Sequence, residues 1–197
     1  MARVLGMGNA LVDIMTNLED DAILEQFNLP KGSMQLVDHE YSNMVNEGTN
    51  HLKKQIASGG SAANAIHGLA RLGIETGFIG KVGNDDFGRF FKTDMESIGI
   101  NPLLLFGNSA TGKAIALISP DSERTFATYL GAAVELSADD ILAEHFVKYD
   151  IFHIEGYLVQ NHALIKRAVK LAKQNGLKIT LDMASYNVVE ENLDFLH

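Results

Sequence analysis

From residue 56 onward the chain alternates between two kinds of segment. Short apolar runs at Thr76 to Val82, Ile151 to Ile154 and Leu177 to Leu181 read as strands. Between them, Ser61 to Leu72, Phe87 to Ile98 and Asn161 to Asn175 carry apolar residues at helical spacing. Parallel strands cannot be joined by a tight turn, so this alternation calls for a mainly parallel sheet covered by crossover helices. One stretch breaks the pattern. Ala114 to Ser119 and Thr125 to Leu130 are extended runs joined by Pro120-Asp-Ser-Glu123, a hairpin signature. It is expected to project as a small separate sheet. About four parallel strands are expected in the main sheet.

The remaining segments are read more locally. Arg3 to Gly8 is a short buried strand. Leu18 to Leu29 is a helix with an acidic start, stopped by Pro30-Lys31-Gly32. Gln35 to Val37 is extended, and Asp38 to Lys54 is a polar helix. Ser137-Ala-Asp-Asp140 has a cap signature and opens a helix. A last helical pattern runs from Asn187 to His197 without a closing cap.

Composition removes several function classes. The formal net charge is -9 and no basic run occurs, so the Lys/Arg density that nucleic-acid binding needs is absent. There is no cysteine, which excludes a disulfide framework, a thiolate metal site and a cysteine nucleophile. None of the seven histidines forms a close metal-ligating pair, so no metal site is expected in the chain. The apolar N-terminal run is broken by Asn9 and Asp13, too early for a signal peptide. No apolar stretch is long enough to span a bilayer. A cytoplasmic protein with no membrane partner is expected.

Two nucleotide motifs almost occur. Gly107-Asn-Ser-Ala-Thr-Gly-Lys113 resembles a phosphate loop, but Ala114 stands where a hydroxyl should hold magnesium, and a strand follows instead of a helix. Gly6-Met-Gly8 begins a dinucleotide fingerprint that Leu11 interrupts.

The polar residues that remain cluster at the carboxyl ends of strands. Asn9 and Asp13 follow the first strand, Glu155 ends Ile-Phe-His-Ile, and Asp182 ends Leu-Lys-Ile-Thr-Leu. Gly59, Gly60 and Asn64 sit at the entry to a helix. In open α/β sheets ligands bind outside those strand ends. Glycine lets backbone approach a ligand closely, a helix N-terminus offers free N–H groups, and an Asn side chain both donates and accepts. A polyhydroxylated ligand uses all three. A tight strand-to-helix turn with a polar wall residue explains the same residues equally well.

These residues also carry a resemblance. Gly59-Gly60-Ser61-Ala-Ala-Asn64, Gly73 and Gly83 are similar to the N-terminal signature of the ribokinase-like carbohydrate kinases, the PfkB family. Gly80-Lys-Val-Gly83-Asn-Asp85-Asp-Phe-Gly88 resembles the turn that follows it. Ile66 departs from the family's usual small residue. Within the family, Gly6-Met-Gly-Asn9-Ala-Leu11-Val-Asp13, Gln35-Leu36, Thr111-Gly112 and Leu130-Gly-Ala-Ala133 are similar to adenosine kinases. Glu155 is instead more like the sugar kinases.

The resemblance implies a ribokinase-like doubly wound α/β fold with a small β lid, built from segments of about 14–37 and 103–130. It implies ATP-dependent phosphorylation of a primary hydroxyl on a sugar or nucleoside, with ATP and Mg2+ as cofactors. Asp13, Gly60 and Asn64 would hold ribose hydroxyls, with Gly59 and Ser61 beside them. Asn9, Leu11, Gln35 and Leu36 would lie near base or sugar, and Glu155 would bind a sugar hydroxyl. The family's second signature, with its anion hole and catalytic Asp, is not in the sequence, and neither is its magnesium-associated Asn-x-x-Glu. The expectation is therefore an N-terminal substrate-binding part over residues 1–197, holding no catalytic base, with the ATP half beyond it. A homodimer through the lid is also implied. The alternative is a non-catalytic binding or regulatory protein built on the substrate half.

Overall fold

A computed structural model describes residues 2–196. Five strands form the main sheet: β1 (Val4–Met7), β5 (Thr76–Val82), β6 (Ile100–Phe106), β9 (Ile151–Ile154) and β10 (Lys178–Leu181). A second sheet holds β2 (Leu11–Asn17), β3 (Met34–Leu36), β4 (Lys54–Gly59), β7 (Gly112–Ile118) and β8 (Arg124–Tyr129). The helices are α1 (Ala22–Gln26), α2 (His39–Gly48), α3 (Ser61–Arg71), α4 (Asp86–Ser97), α5 (His162–Gln174), α6 (Tyr186–Glu191) and α7 (Leu193–Leu196).

The main sheet is parallel throughout, in the order β10-β9-β1-β5-β6. The chain winds outward from β1 to β6, then returns to the other side of β1 for β9 and β10. The direction of winding therefore reverses between β1 and β9, and the crevice beyond their carboxyl ends is where such folds take ligands. Strand β5 is apolar on both faces, as a strand covered from both sides must be. Along β1, Val4 joins the core under α3 and α4, while Leu5 and Met7 join the core under α5. Helix α5 buries Leu164, Ile165, Ala168, Leu171 and Ala172 at helical spacing, and the Asn161 side chain caps it by accepting from the Leu164 N–H at 3.1 Å.

The second sheet has the order β3-β8-β7-β2-β4 and is mixed. It has as many strands as the main sheet, more than the projecting hairpin expected from sequence. Two of its strands have no counterpart in the sequence reading. Strand β2 starts three residues after β1, so two short strands are run together with only Gly8-Asn9-Ala10 between them. Strand β4 takes the end of what reads as one polar helix, because the helix stops at Gly48. The lid boundaries change accordingly. Residues 103–106 belong to β6 of the main sheet, pairing with β5 from Ile79↔Leu103 to Val82↔Phe106, so the second lid segment begins after them. Residues 11–13 and 54–59 join the lid sheet as well.

Other differences are local. The helix expected over Leu18 to Leu29 is one short turn, α1. The segment opened by Ser137 is a pair of 3-10 turns, at Ala138–Asp140 and Ala143–Phe146, with the Asp140 carboxylate accepting the Ser137 N–H at 2.8 Å, and another such turn precedes it at Gly131–Glu135. The last helical pattern divides into α6 and α7, and its final residue, His197, lies outside the described residues.

Candidate functional site

The first side chain to arrive at the crevice is Asn9, directly beyond β1. The second is Glu155, directly beyond β9. They meet: Asn9 Nδ2 donates to Glu155 Oε1 at 2.5 Å, and the Ala62 N–H at the start of α3 donates to Oε2 at 3.3 Å. Glu155 is only 2% exposed. Burial pushes its carboxyl pKa up, the Ala62 and Asn9 donors pull it back, and the nearby Asp182 charge adds to the rise. Glu155 thus ties β1, β9 and the N-terminus of α3 together at the switch point. Asp182, beyond β10, accepts the Ser61 hydroxyl at 2.6 Å, and that bond holds its pKa low.

The glycine pair explains itself in space. A Cβ on Gly59 would stand 2.3 Å from the Asp13 carboxyl carbon, so the Asp13 side chain lies directly over the glycine. Gly60 has φ +102, and a Cβ there would meet the Asn9 carbonyl oxygen at 2.2 Å. One glycine makes room for a carboxylate and the other for a backbone turn. Asp13 is half-buried and has no side-chain hydrogen bond among the described residues. Burial alone raises its pKa from 3.8 to about 6. A carboxylate taken from water with no donor in reach is ready for a ligand that brings donors.

Lid-sheet register decides which other residues share that space. Leu36 pairs with Thr128, Thr128 with Ala114, Ala114 with Asp13, and Asp13 with Ala57. These five form one row across the sheet, and their side chains project from one face. The carboxylate stands toward one end, Leu36 stands at the other with 64% of its surface exposed, and only Thr128 and Ala114 lie between. Three strand spacings separate Asp13 from Leu36, roughly 14 Å. A cavity of about 270 Å³ opens at the Leu36 end, lined among others by Thr128, Leu130 and Val134. Leu11 reaches toward Leu130 beside Gly112.

Gln35 lies in the neighbouring row, with Ala127, Ile115, Ile14 and Ile56, on the opposite face. That face packs under α2. The Gln35 amide donates to Ser33 Oγ at 3.3 Å. Adjacent strand residues cannot both face the crevice, and here Leu36 does. Asn64 is exposed in the second turn of α3, its N–H bonded to the Gly60 carbonyl at 2.9 Å.

A family model for pfkB family carbohydrate kinases matches residues 33–193. The chain belongs to that family. A 5-dehydro-2-deoxygluconokinase from Mesomycoplasma hyopneumoniae is 30% identical over 161 residues, which cover 78% of this chain and 46% of that protein. Among solved structures, an adenosine kinase from Sinorhizobium meliloti superposes with a TM-score of 0.83 at 30% identity, covering 99% of this chain and 61% of that one. A probable sugar kinase from Rhizobium etli gives the same TM-score at 29% identity, covering 99% and 60%. The fold is thus the ribokinase-like one of these kinases. The chain spans less than two thirds of the length of each of these three relatives.

Two further features of this pfkB-family chain, both near the candidate site, were not singled out from sequence as functional. The first is Asp85. It caps α4 by accepting the Gly88 N–H at 2.8 Å, and it also accepts the Thr111 N–H at 2.8 Å and the Thr111 hydroxyl at 2.6 Å. Burial opposes its ionisation, but these donors prevail and its pKa is held below the usual value. The Gly-x-Asp turn therefore fastens the lid where β7 begins. The Asp–Thr distance of 26 residues hides this pairing in the sequence. The second is Lys113, the lysine of the phosphate-loop look-alike. It is 3% exposed in β7, donates to Asn43 Oδ1 at 2.5 Å, and lies over the Phe87 ring. It ties the lid sheet to α2.

Among the described residues no three His, Asp or Glu side chains are grouped so as to hold a metal ion. The acids at the crevice are already bonded to Asn9, Ala62 and Ser61, or set alone like Asp13. These residues do not by themselves fit a magnesium site. No helix of the described residues is long and apolar enough to cross a membrane.

Proposed function

We propose that this chain forms the acceptor-binding part of a kinase that phosphorylates the primary hydroxyl of a ribose-bearing nucleoside. One observation carries this reading: the row Leu36–Thr128–Ala114–Asp13–Ala57. It offers a carboxylate for vicinal hydroxyls, then two small, nearly buried side chains, Ala114 and Thr128, then an exposed apolar end beside a cavity. A ligand with a polyhydroxylated ring and a flat apolar base matches that sequence of surfaces, whereas a free hexose or pentose leaves the apolar end unused.

In this reading Asp13 accepts the sugar hydroxyls, Gly59 and Gly60 let the ring approach the backbone, and Asn64 supplies a second polar contact from α3. Leu11 and Leu36 flank the base, and Gln35 faces away. Asn9 and Glu155 hold the turn on which the sugar rests, with Glu155 near enough to take part. Ser61, bonded to Asp182, closes the other side. Phosphoryl transfer is mainly positioning and charge stabilisation, and this chain's share is positioning. ATP and Mg2+ would supply the phosphoryl group and its charge neutralisation. We assign their contacts, the anion hole and the general base to the further length that the relatives possess.

A sugar acceptor is the second reading, favoured by a buried acid at position 155 and by relatives named as a sugar kinase, a 5-dehydro-2-deoxygluconokinase and a fructokinase. A non-catalytic binder is the third. ADP release by the full-length protein, offered nucleosides and free sugars, separates them. Turnover with a nucleoside at least tenfold above any free sugar supports the first. The reverse order supports the second, and binding without turnover supports the third.

A further inference from the structure

Three side chains outside the acceptor site converge just behind it. Ser58 is the residue before the glycine pair, on β4. Its N–H donates to Asp94 Oδ2 on α4 at 3.0 Å, and its hydroxyl donates to the same oxygen. His67 Nε2 on α3 lies 2.7 Å from Ser58 Oγ and 3.9 Å from Asp94 Oδ2. Ser58 is 3% exposed. The three side chain types are those of a hydrolytic triad, but the order is wrong for one. The serine stands between the acid and the imidazole, and it is buried.

Proton counting fixes the direction of the network. A hydroxyl has one proton, and Ser58 gives it to Asp94, so the lone pair facing His67 must receive an N–H. His67 therefore carries its proton on Nε2. Burial lowers its pKa, against the pull of Asp94. The relay runs from His67 to Ser58 to Asp94 and leaves none of those polar atoms unmatched.

Its position gives it a use. Among the described residues strand β4 pairs only with β2, so the outer side of β4 has no neighbouring strand there. The Asp94 carboxylate takes the Ser58 N–H that such a neighbour would have taken. The next residue is Gly59, with the Asp13 carboxyl directly over it. Asp94 sits nine residues after Asp85, on the same helix. One end of α4 fastens the lid where β7 begins, and a later turn of α4 fastens it where β4 ends.

We propose that Asp94 is a positioning residue: through Ser58, with His67 as the supporting donor, it pins the end of β4 to the main domain and so sets the floor on which Asp13 meets the acceptor. This inference rests on the kinase reading for its consequence, but the pin itself is a property of the fold and is measurable alone.

The test uses the full-length protein with two readouts. The first is amide hydrogen exchange. Asp94→Ala should speed exchange at residues 58–61 at least tenfold while the Thr111 amide, held by Asp85, stays as in the wild type. The second is kinetics. The acceptor KM should rise at least tenfold, with kcat within about threefold and the ATP KM unchanged. Asp94→Asn keeps an oxygen for the Ser58 N–H and should recover part of both effects. If Asp94→Ala does not fold, Ser58→Ala, which retains the backbone bond, should loosen residues 59–61 in the same direction. Wild-type exchange at residues 58–61 in these variants overturns the pin. Faster exchange with an unchanged acceptor KM overturns the positioning role. A wild-type protein that phosphorylates no acceptor counts against the kinase reading, and the exchange result still decides the pin.

Discussion

Replacing Asp13 by Asn should make the ligand-free protein more stable and less able to bind its acceptor. The side chain is half-buried over Gly59, has no side-chain hydrogen-bond partner among the described residues, and has its pKa raised by burial from 3.8 to about 6. A carboxyl that is harder to ionise in the folded chain than in the unfolded one favours folding fully only below about pH 4. That contribution is lost as the pH rises through 6. At pH 7.5 the ionised group works against the fold. At 1.36 kcal/mol per pH unit the full cost is about 3 kcal/mol, and residual solvent contact brings the expected range to about 1–3 kcal/mol. An Asn of nearly the same shape removes the charge. The Asp13→Asn variant should therefore gain about 1–3 kcal/mol in urea unfolding at pH 7.5, or roughly 2–10 °C in Tm. The gain should fall to about a third of that at pH 4.5. Acceptor binding should move the other way. Charge-assisted hydrogen bonds contribute about 1.5–3 kcal/mol, so affinity at pH 7.5 should drop about 10- to 150-fold. A variant less stable than wild type at pH 7.5, or a gain that does not change with pH, would refute the reasoning.

Three further outcomes follow from neighbouring residues. Gly60→Ala places a side chain at φ +102 and against the Asn9 carbonyl, so it should cost about 1–3 kcal/mol in thermal melts or more, and calorimetry should find acceptor binding lost. Glu155→Ala leaves the buried Asn9 amide and Ala62 N–H without their acceptor, at about 1–3 kcal/mol for each buried group; urea unfolding should register this whichever acceptor the enzyme prefers, and a silent substitution would contradict the clamp. Asp85→Ala removes a helix cap and the Thr111 tether together, so it should lower stability by about 2 kcal/mol or more, with amide exchange faster at residues 109–112 than at residues 58–61.

Strand and helix alternation after residue 56 was readable because each element carries its own period. Strand Ile151–Ile154 matches its expected bounds, and α3, α4 and α5 match within one or two residues. The lid was not readable to the same degree. Strand β2 has no break separating it from β1, and the apolar residues of β6 look the same whether they pair in one sheet or the other. Strand β4 begins inside a polar run, because an edge strand of the lid needs little apolar surface. At the site, Asn9, Asp13, the glycine pair and Glu155 were legible as polar or flexible residues at strand ends. Their partners were not. Glu155 looks like a free ligand-binding acid in the sequence and is a buried clamp in space. Gln35 and Leu36 look like one motif and face opposite ways, since only strand register tells which of two neighbours shares the face of Asp13. The tethers Asp85–Thr111 and Ser58–Asp94 join residues 26 and 36 positions apart, which no local pattern signals.

The central claim is that the crevice over Gly59 and Gly60 receives a hydroxylated ring whose hydroxyls are held by Asp13. The direct measurement is ADP release by the full-length protein with nucleosides and sugars as acceptors, run side by side for wild type and Asp13→Asn. The expected result is turnover of a ribose-bearing nucleoside by the wild type, with kcat/KM for that acceptor at least tenfold lower in the variant and the ATP KM unchanged. Equal kcat/KM in the two proteins, or no turnover of any acceptor, would contradict it.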